Sequence, residues 1–422
     1  MPASNETQFK SIPGALKIVL VLLAISVFIN YIDRGNLSIA APALKDELRI
    51  SASQLGLLLS AFFWTYACMM LVSGWLVDRL NVNWVFAGGF LLWSAATAAT
   101  GLVRTFAMLF VLRLLLGIGE SVAYPSYCKI VARNFTEENR GIANAVISSG
   151  LVMGPGFGML FGGLLMARFG WRSVFLFLGL VSMLWLVPWI KWMPPNRIDA
   201  RTSTTGAPSL LEFLQLRSAW GTCLGLFCGN YINYFLITWL PFYLVRERHF
   251  SMDKMAKVGG TAYLLGACFA TFCGWLSDRW IRSGASPTLV RKTFVGGGTA
   301  LAGISVGLAV LGGPIFCIAA IILGVIFFGA SASNLWAISQ RLAGPQAAGR
   351  WAGFQLFFGN MSGIVAPAVT GLVLQRTGHF FWAFMILAGM SLLGAASYFL
   401  LIGPVEQIVW RRSLRAQAAV AS

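Results

Sequence analysis

Five ionisable side chains fall inside the long apolar runs of this chain: Asp33, Arg34, Arg113, Glu120 and Lys129. All lie in its first third. Asp33 and Arg34 are adjacent in the pentad Asn30-Tyr31-Ile32-Asp33-Arg34, within a run that opens near Leu16 and closes near Pro42. Arg113 and Glu120 are seven residues apart, close to two helical turns, and so share one helix face. At about 1.5 Å of rise per residue, Asp33 sits roughly 25 Å along its run, well inside a hydrocarbon layer about 30 Å thick. A charge at that depth is costly unless it faces protein or an aqueous cavity. Two acids and two arginines compensate one another where any one alone would be very costly. Such a set supports anion binding with a proton switch. Arginine offers a planar, permanently charged fork for a carboxylate, and Asp33 and Glu120 can gain or lose a proton. If protonation frees an arginine from its internal partner, anion and proton become linked. The competing reading is a static ion-pair lock between helices. For Lys129, near a helix end, a snorkelling amine is the favoured reading.

The elements that must position these groups follow from composition. Of 422 residues, 58% are hydrophobic and only 11% charged, and the mean hydropathy is +0.75. That much apolar surface belongs to a polytopic membrane protein. Helical runs succeed one another, six between about residues 16 and 193 and six between about 218 and 403. The first, which includes Ile18–Ile29, is too long for a signal-peptide core and reads as a retained span. Pro194 to Arg217, with its proline pair and scattered Ser and Thr, is the longest polar stretch. The expected fold is therefore an all-α membrane protein of 12 transmembrane helices in two pseudo-symmetric six-helix bundles. The first is residues 1–193, the second 218–422 with a cytoplasmic tail, and the linker 194–217 is cytoplasmic.

Two internal matches support the duplication. Asn30-Tyr31-Ile32-Asp33-Arg34 returns as Asn230-Tyr231-Ile232-Asn233-Tyr234, with both charges replaced by neutral groups. Gly74-Trp75-Leu76-Val77-Asp78-Arg79 returns as Gly274-Trp275-Leu276-Ser277-Asp278-Arg279, at the same offset of two hundred residues. Parallel repeats of this kind place a transporter's site at the midplane between them. Asp78, Arg79, Asp278 and Arg279 stand at helix ends and read as gate or interhelical latches.

The net charge of +17 comes from residues spread over short loops rather than over one amphipathic face, so it reports topology and not nucleic acid. Roughly 18 Lys and Arg lie on the side of the termini, about 10 on the other and about 3 in the membrane. That bias puts both termini in the cytoplasm and the basic loops against anionic lipid of the cell (inner) membrane. The seven cysteines all fall in apolar runs without metal-ligand spacing, and they read as packing residues. No cofactor or metal is expected. His249 and His379 fall in outer loops, which leaves the acids as carriers of coupling. The second half contributes neutral donors and aromatics, among them Tyr231, Tyr234, Gln355 and Asn360, suited to the hydroxyls of a polar substrate. Tyr66 in the second run belongs with them. Each serves helix-to-helix hydrogen bonding equally well. Glycine-rich stretches around Gly150–Gly163 and Gly359–Gly371 suit close crossings of helices that rock.

The Gly-Trp-Leu-Val-Asp-Arg segment and its repeat resemble the loop motif of the major facilitator superfamily. This copy departs from it after Arg79, where Asn81 and Asn83 replace a glycine and a second basic residue. Within that superfamily, Asn30–Arg34, Arg113 with Gly117-Ile118-Gly119-Glu120 and Pro125, Thr238-Trp239-Leu240-Pro241 and Ala343-Gly344-Pro345 resemble the anion:cation symporter family. Its bacterial members take up sugar acids such as galactonate, glucarate and hexuronates, or aromatic acids such as phthalate, with protons. The resemblance implies that Asp33 and Glu120 carry protons and that Arg34 meets the substrate carboxylate. It also implies that Arg113 helps couple the two, with Tyr66 and Asn360 near the substrate. It further implies a small organic anion and protons as partners, a monomer, and alternating access.

Other classes fit less well. No Gly-Lys dipeptide occurs, so the chain has no phosphate-binding loop for an ATP-driven pump. An intramembrane aspartyl protease needs two buried aspartates, and Asp33 is alone at depth. An enzyme is not expected. An aromatic carboxylate as substrate, sodium coupling and anion exchange remain alternatives within the same fold.

Overall fold

The computed structural model describes residues 13–135, 137–194 and 210–410. Most of the expected linker, 194–217, and the end of the tail lie outside the described residues. Those described form helices and short connections, with no strand among them. The first half supplies α1 (Gly14–Glu47), α2 (Ala52–Arg79), α3 (Val82–Thr100), α4 (Phe106–Asn134), α5 (Glu137–Phe157, continued by Gly158–Gly162 and Gly163–Phe169) and α6 (Trp171–Trp192). The second supplies α7 (Arg217–Arg246), α8 (Met252–Arg282), α9 (287–308), α10 (Pro314–Gly344), α11 (Arg350–Thr377) and α12 (Phe381–Leu400).

Short polar residues set the helix starts. Ser51 and Gln54 close a capping box on α2, with Ser51 Oγ accepting from the Gln54 N–H at 3.2 Å and Gln54 Oε1 accepting from the Ser51 N–H at 2.8 Å. Asn81, Thr105 and Ser251 cap α3, α4 and α8 through one side-chain acceptor each. Leu, Val, Ile, Phe and Trp side chains such as Leu180, Val187, Phe272 and Ile315 remain exposed along the helices, as expected of a surface that meets lipid.

Eleven of these helices are long and apolar enough to cross a membrane. The remaining run, expected as one regular helix over about 290–311, is α9, made of Pro287–Lys292, a π-helical turn Thr293–Gly297, and Gly298–Leu308 without interruption. Gly296, Gly297 and Gly298 permit that wide turn. A Cβ on Gly298 would stand 2.9 Å from the Phe327 carbonyl oxygen of α10, so the same glycines bring α9 against its neighbours. Between α10 and α11 the helical backbone is broken at Gly344 alone, where φ is 66°. That left-handed conformation suits glycine.

The two halves meet at one end. Taking the end where α1 stops as the far end, the crossings that follow lie in the far half of the helices. Ser38 Oγ donates to the Ile237 carbonyl at 2.5 Å, and Arg246 of α7 bonds the Pro42 carbonyl at 2.8 Å and pairs with Asp46. The Ser53 N–H donates to Gln375 Oε1 at 3.0 Å. α2 and α11 cross backbone to backbone: a Cβ on Gly56 would lie 2.6 Å from the Pro367 carbonyl oxygen, and one on Gly371 would lie 2.9 Å from Gly56 Cα. α5 and α8 repeat the device with Gly163 against Ala256 and Gly260 against Leu160. At the near end, the Asp278–Arg291 ion pair and the Lys129 bond to the Val77 carbonyl each stay within one half.

This seam gives a direct test. Valine at Gly371 must push α2 and α11 apart, at an overpacking cost of about 1–3 kcal/mol. Gly371→Val should therefore melt several degrees below the parent protein in detergent. Gly389→Ala, where a Cβ meets open space, should not. Equal melting of Gly371→Val and the parent would remove the crossing as a structural constraint.

Candidate functional site

The charged residues of α1 and α4 meet at mid-depth, beside α2 and α3. Arg34 Nε donates to Glu120 Oε2 at 2.8 Å, with the Arg34 side chain 11% exposed and Glu120 fully buried. This is the only hydrogen bond of Arg34 among the described residues, so its two Nη groups remain free for another acceptor. Three rings hold the guanidinium in place: its central carbon lies 4.7 Å from the Tyr31 ring centroid, 5.3 Å from Phe62 and 4.6 Å from Tyr66. Phe62 also carries the Arg113 guanidinium, at 5.3 Å, and stacks on Tyr66 at 5.1 Å between centroids.

The motif Gly117-Ile118-Gly119-Glu120 explains how Glu120 arrives there. A Cβ on Gly117 would strike Thr65 Oγ1 and the Phe62 carbonyl of α2, and one on Gly119 would lie 2.8 Å from the Trp93 N of α3. Thr65 Oγ1 donates to the Leu114 carbonyl at 2.8 Å and fixes the α2–α4 approach. Glycines facing two different helices therefore let α4 wedge between α2 and α3, and the next residue, Glu120, is pressed into the interior.

Asp33 and Arg113 are differently placed. Both are buried, 3% and 5% exposed, and neither makes an ion pair within 4.0 Å among the described residues. Asp33 Oδ1 accepts one hydrogen bond, from Asn36 Nδ2 at 3.3 Å. Asp33 Oδ2, Arg113 Nε, Glu120 Oε1, Asn30 Nδ2 and Asn36 Oδ1 are buried without a hydrogen-bond partner. A buried polar atom normally has a partner, so these five atoms set the cluster apart from an ordinary satisfied interior. The expected compensation of two acids by two arginines is thus a contact pair, Arg34–Glu120, with Asp33 and Arg113 acting only through space.

Across the seam the second half presents neutral groups. Tyr234, which occupies in the second pentad the place of Arg34 in the first, donates to Asn360 Oδ1 at 2.7 Å and packs on Phe63 at 4.4 Å between centroids. Tyr231 is buried one turn before it. A Cβ on Gly363 would strike the Phe63 ring, so that glycine lets α11 approach α2 just below the pair. Gln355 lies apart from this group. Its Oε1 accepts from Ser339 Oγ at 2.7 Å and its Nε2 donates to the Thr222 carbonyl at 3.2 Å, which ties α11 to α10 and α7.

At the near end, Asp278 pairs with Arg291 of α9 at 2.7 Å, and Arg291 also reaches Asn334 and Ser277. Arg279 lies over the Trp275 ring and Arg79 over Trp75. The Asp78 side chain is outside the described residues. Sequence reasoning missed Arg291 as the partner of Asp278, and it missed Phe62 and Asn36. A phenylalanine four residues before Tyr66 shares its helix face, which was the available signal for Phe62. The position of Gln355 predicts that Gln355→Leu lowers the melting temperature while leaving the apparent KM for any transported anion within about twofold. Tyr234→Phe, which removes the Asn360 bond at the seam, should raise that KM with little effect on melting. The opposite pattern would exchange the roles of the two side chains.

The description Major Facilitator Superfamily fits residues 23–367. The chain is similar to the hexuronate transporter of Bacillus subtilis, 29% identical over 402 residues that cover 92% of this chain and 94% of that one. It is 27% identical to the probable galactarate/D-glucarate transporter of the same organism, over 93% of each chain. It is 30% identical to the probable sulfoacetate transporter of Cupriavidus necator, over 90% and 93% of the two chains. In fold it is similar to a bacterial homologue of the human lysosomal transporter Spinster, crystallised in an inward-facing and occupied conformation. The TM-score is 0.80 at 19% identity, with 93% of this chain and 97% of that one covered. The hexuronate and galactarate/D-glucarate transporters among these relatives agree with the sugar-acid transporter resemblance carried by the motifs around Arg34 and Glu120. The chain is a transporter, not an enzyme, and it belongs to the Major Facilitator Superfamily.

Proposed function

We propose that this protein is a proton-coupled symporter that takes up a small organic anion, a sugar acid of the aldonate, aldarate or hexuronate type, by alternating access. The carrying observation is Arg34: a guanidinium at mid-depth, held by one Nε bond and three rings, with both Nη groups unspent. That free fork matches a carboxylate. The neutral Tyr234–Asn360 pair, with Tyr231 and Tyr66, offers donors and acceptors to the hydroxyls of a sugar acid. The similarity to hexuronate and galactarate/D-glucarate transporters supports this substrate class.

In this mechanism Glu120 and Asp33 carry the protons. With Glu120 ionised, its carboxylate competes with substrate for Arg34. Protonation of Glu120 releases the guanidinium to the substrate carboxylate, and the substrate then supplies the missing negative charge. Arg113, on the same face of α4 and over the same Phe62 ring, senses both changes through space. The bundles 1–193 and 218–422 then rock about the site, opening and closing the far-end seam. The positive-inside bias assigns the near end, with both termini, to the cytoplasm, and the conformation described is then open inward. Asp78–Arg79 and the Asp278–Arg291 pair with Arg279 act as near-end latches. The protein works as a monomer in the cell membrane.

The test is uptake of radiolabelled galactonate, glucarate, glucuronate, phthalate and sulfoacetate into proteoliposomes after a pH jump, with sodium present or absent. An inward proton gradient should drive accumulation of one or more sugar acids, and a protonophore should abolish it. Glu120→Gln should lose accumulation by about tenfold or more, equivalent to ~1.4 kcal/mol, while retaining counterflow exchange. Uptake indifferent to pH, but dependent on sodium or on an internal anion, would remove Asp33 and Glu120 as proton carriers. Accumulation of phthalate or sulfoacetate alone would remove the sugar acid.

A further inference from the structure

We propose that Asn36 is a positioning residue that connects the protonation of Asp33 to the far-end seam between the two halves. The inference rests on the proton-carrying role proposed above for Asp33. Asn36 follows Asp33 by three residues on α1, so their side chains share a face. Its Nδ2 donates to Asp33 Oδ1 at 3.3 Å, and both side chains are buried. The other end of each group is unspent: Asn36 Oδ1 and Asp33 Oδ2 have no hydrogen-bond partner among the described residues, nor has the hydroxyl of Thr97 on α3.

Asn36 Oδ1 faces α5. A Cβ on Gly162 would stand 3.3 Å from that oxygen, and one on Gly158 would stand 3.2 Å from Ile32 Cα. Gly158 to Gly162 is the π-helical turn of α5, a local re-registering of the helix of a kind frequent at functional sites. The residues of and beside that turn touch the other half. Gly163 abuts Ala256, Leu160 abuts Gly260, and Met159 occupies the space over Gly259, all on α8. A line of contacts therefore runs from Asp33 through one amide to the wide turn and on to the seam.

The chemistry of the amide makes this line sensitive to a proton. An ionised Asp33 only accepts, and the Asn36 NH2 serves it. A neutral Asp33 carries an O–H that needs an acceptor. Rotation of the Asn36 amide supplies its carbonyl to that O–H and turns the NH2 towards Gly162. The group pressed on the π-helical turn thus changes with the state of Asp33. The charged groups that bear on Asp33 from the packed helices are Glu120 and Arg113 of α4, with Arg34 beside it on α1. The facing positions Gly158 and Gly162 on α5 carry no charge, and α3 brings only the Thr97 hydroxyl.

The experiment needs no transported substrate. Ser53→Cys places a thiol where α2 bonds α11 across the far-end seam. Its labelling by a hydrophilic maleimide in proteoliposomes, above that of the native cysteines, is followed from acid to alkaline pH. The expected result is a titrating profile that Asp33→Asn flattens. Asn36→Leu, which keeps size and removes both amide ends, should shift its midpoint by about one pH unit or more. Gly162→Ala, which leaves Asp33 and Asn36 in place and crowds the contact between them and α5, should shift it too and stands as the second variant. A profile that Asp33→Asn flattens but that both other variants leave at the parent midpoint overturns the role of Asn36 alone. A flat parent profile, or one that Asp33→Asn does not change, overturns the role of Asp33 and the inference with it.

Discussion

The arrangement of the first half depends on one physical demand: a guanidinium and a carboxylate must coexist far from water. Arg34 and Glu120 satisfy it by direct contact at 2.8 Å. Removing one partner of such a pair leaves an uncompensated charge, at a cost of ~3–5 kcal/mol, so the surrounding packing is constrained to keep them together. Gly117 and Gly119 thin α4 on two sides to bring Glu120 inward. Tyr31, Phe62 and Tyr66 then surround the guanidinium with ring faces, which tolerate its charge without spending its donors. The result is a cation whose position is fixed while most of its hydrogen-bonding capacity is not used.

Opposite Arg34 the second half answers with dipoles and no charge, its one cation paired across the seam among the described residues being the partly exposed Arg246, which bonds Asp46. The internal repeat sets Tyr234 in the place of Arg34, and the phenol finds Asn360 where the guanidinium finds Glu120. One duplicated frame thus carries two chemistries, ionic on one side and neutral on the other. A second buried ion pair facing the first would have added its own desolvation cost and a competing field. Closure of the far end combines a few polar crossings with a different principle, the absence of side chains. Gly56 meets Gly371, and Gly163 and Gly260 meet α8 and α5. Such crossings hold by close packing and shape, a kind of contact that two halves can part from without stranding a buried charge.

Much of this was legible in the sequence. Hydropathy and length fix a many-helix membrane fold because lipid leaves a backbone only helices or closed barrels, and apolar runs of about 20 residues or more select helices. The two matched motifs at one offset disclose the repeat, and the four ionisable residues Asp33, Arg34, Arg113 and Glu120 mark the buried polar cluster, because charge is costly in hydrocarbon. The wide turn in α9 was not legible: three successive glycines permit it, but packing against Phe327 and Phe399 selects it. Nor was the division within the site. Gln355 and Asn360 are both amides on α11, five residues apart, and only their surroundings separate one held by Ser339 and Thr222 from one that meets Tyr234.

The sequence by itself therefore determined the class of molecule, the helices, the duplication and which residues bear the charge, since each follows from local composition, periodicity or the cost of burial. Tertiary structure alone decided who pairs with whom. It joined Arg34 to Glu120 and left Asp33 to Asn36, gave Asp278 to Arg291, and set both glycine seams at the far end. The physical reason is that partner choice depends on rotations and approaches of whole helices, set by many small contacts at once. No single spacing along the chain encodes them.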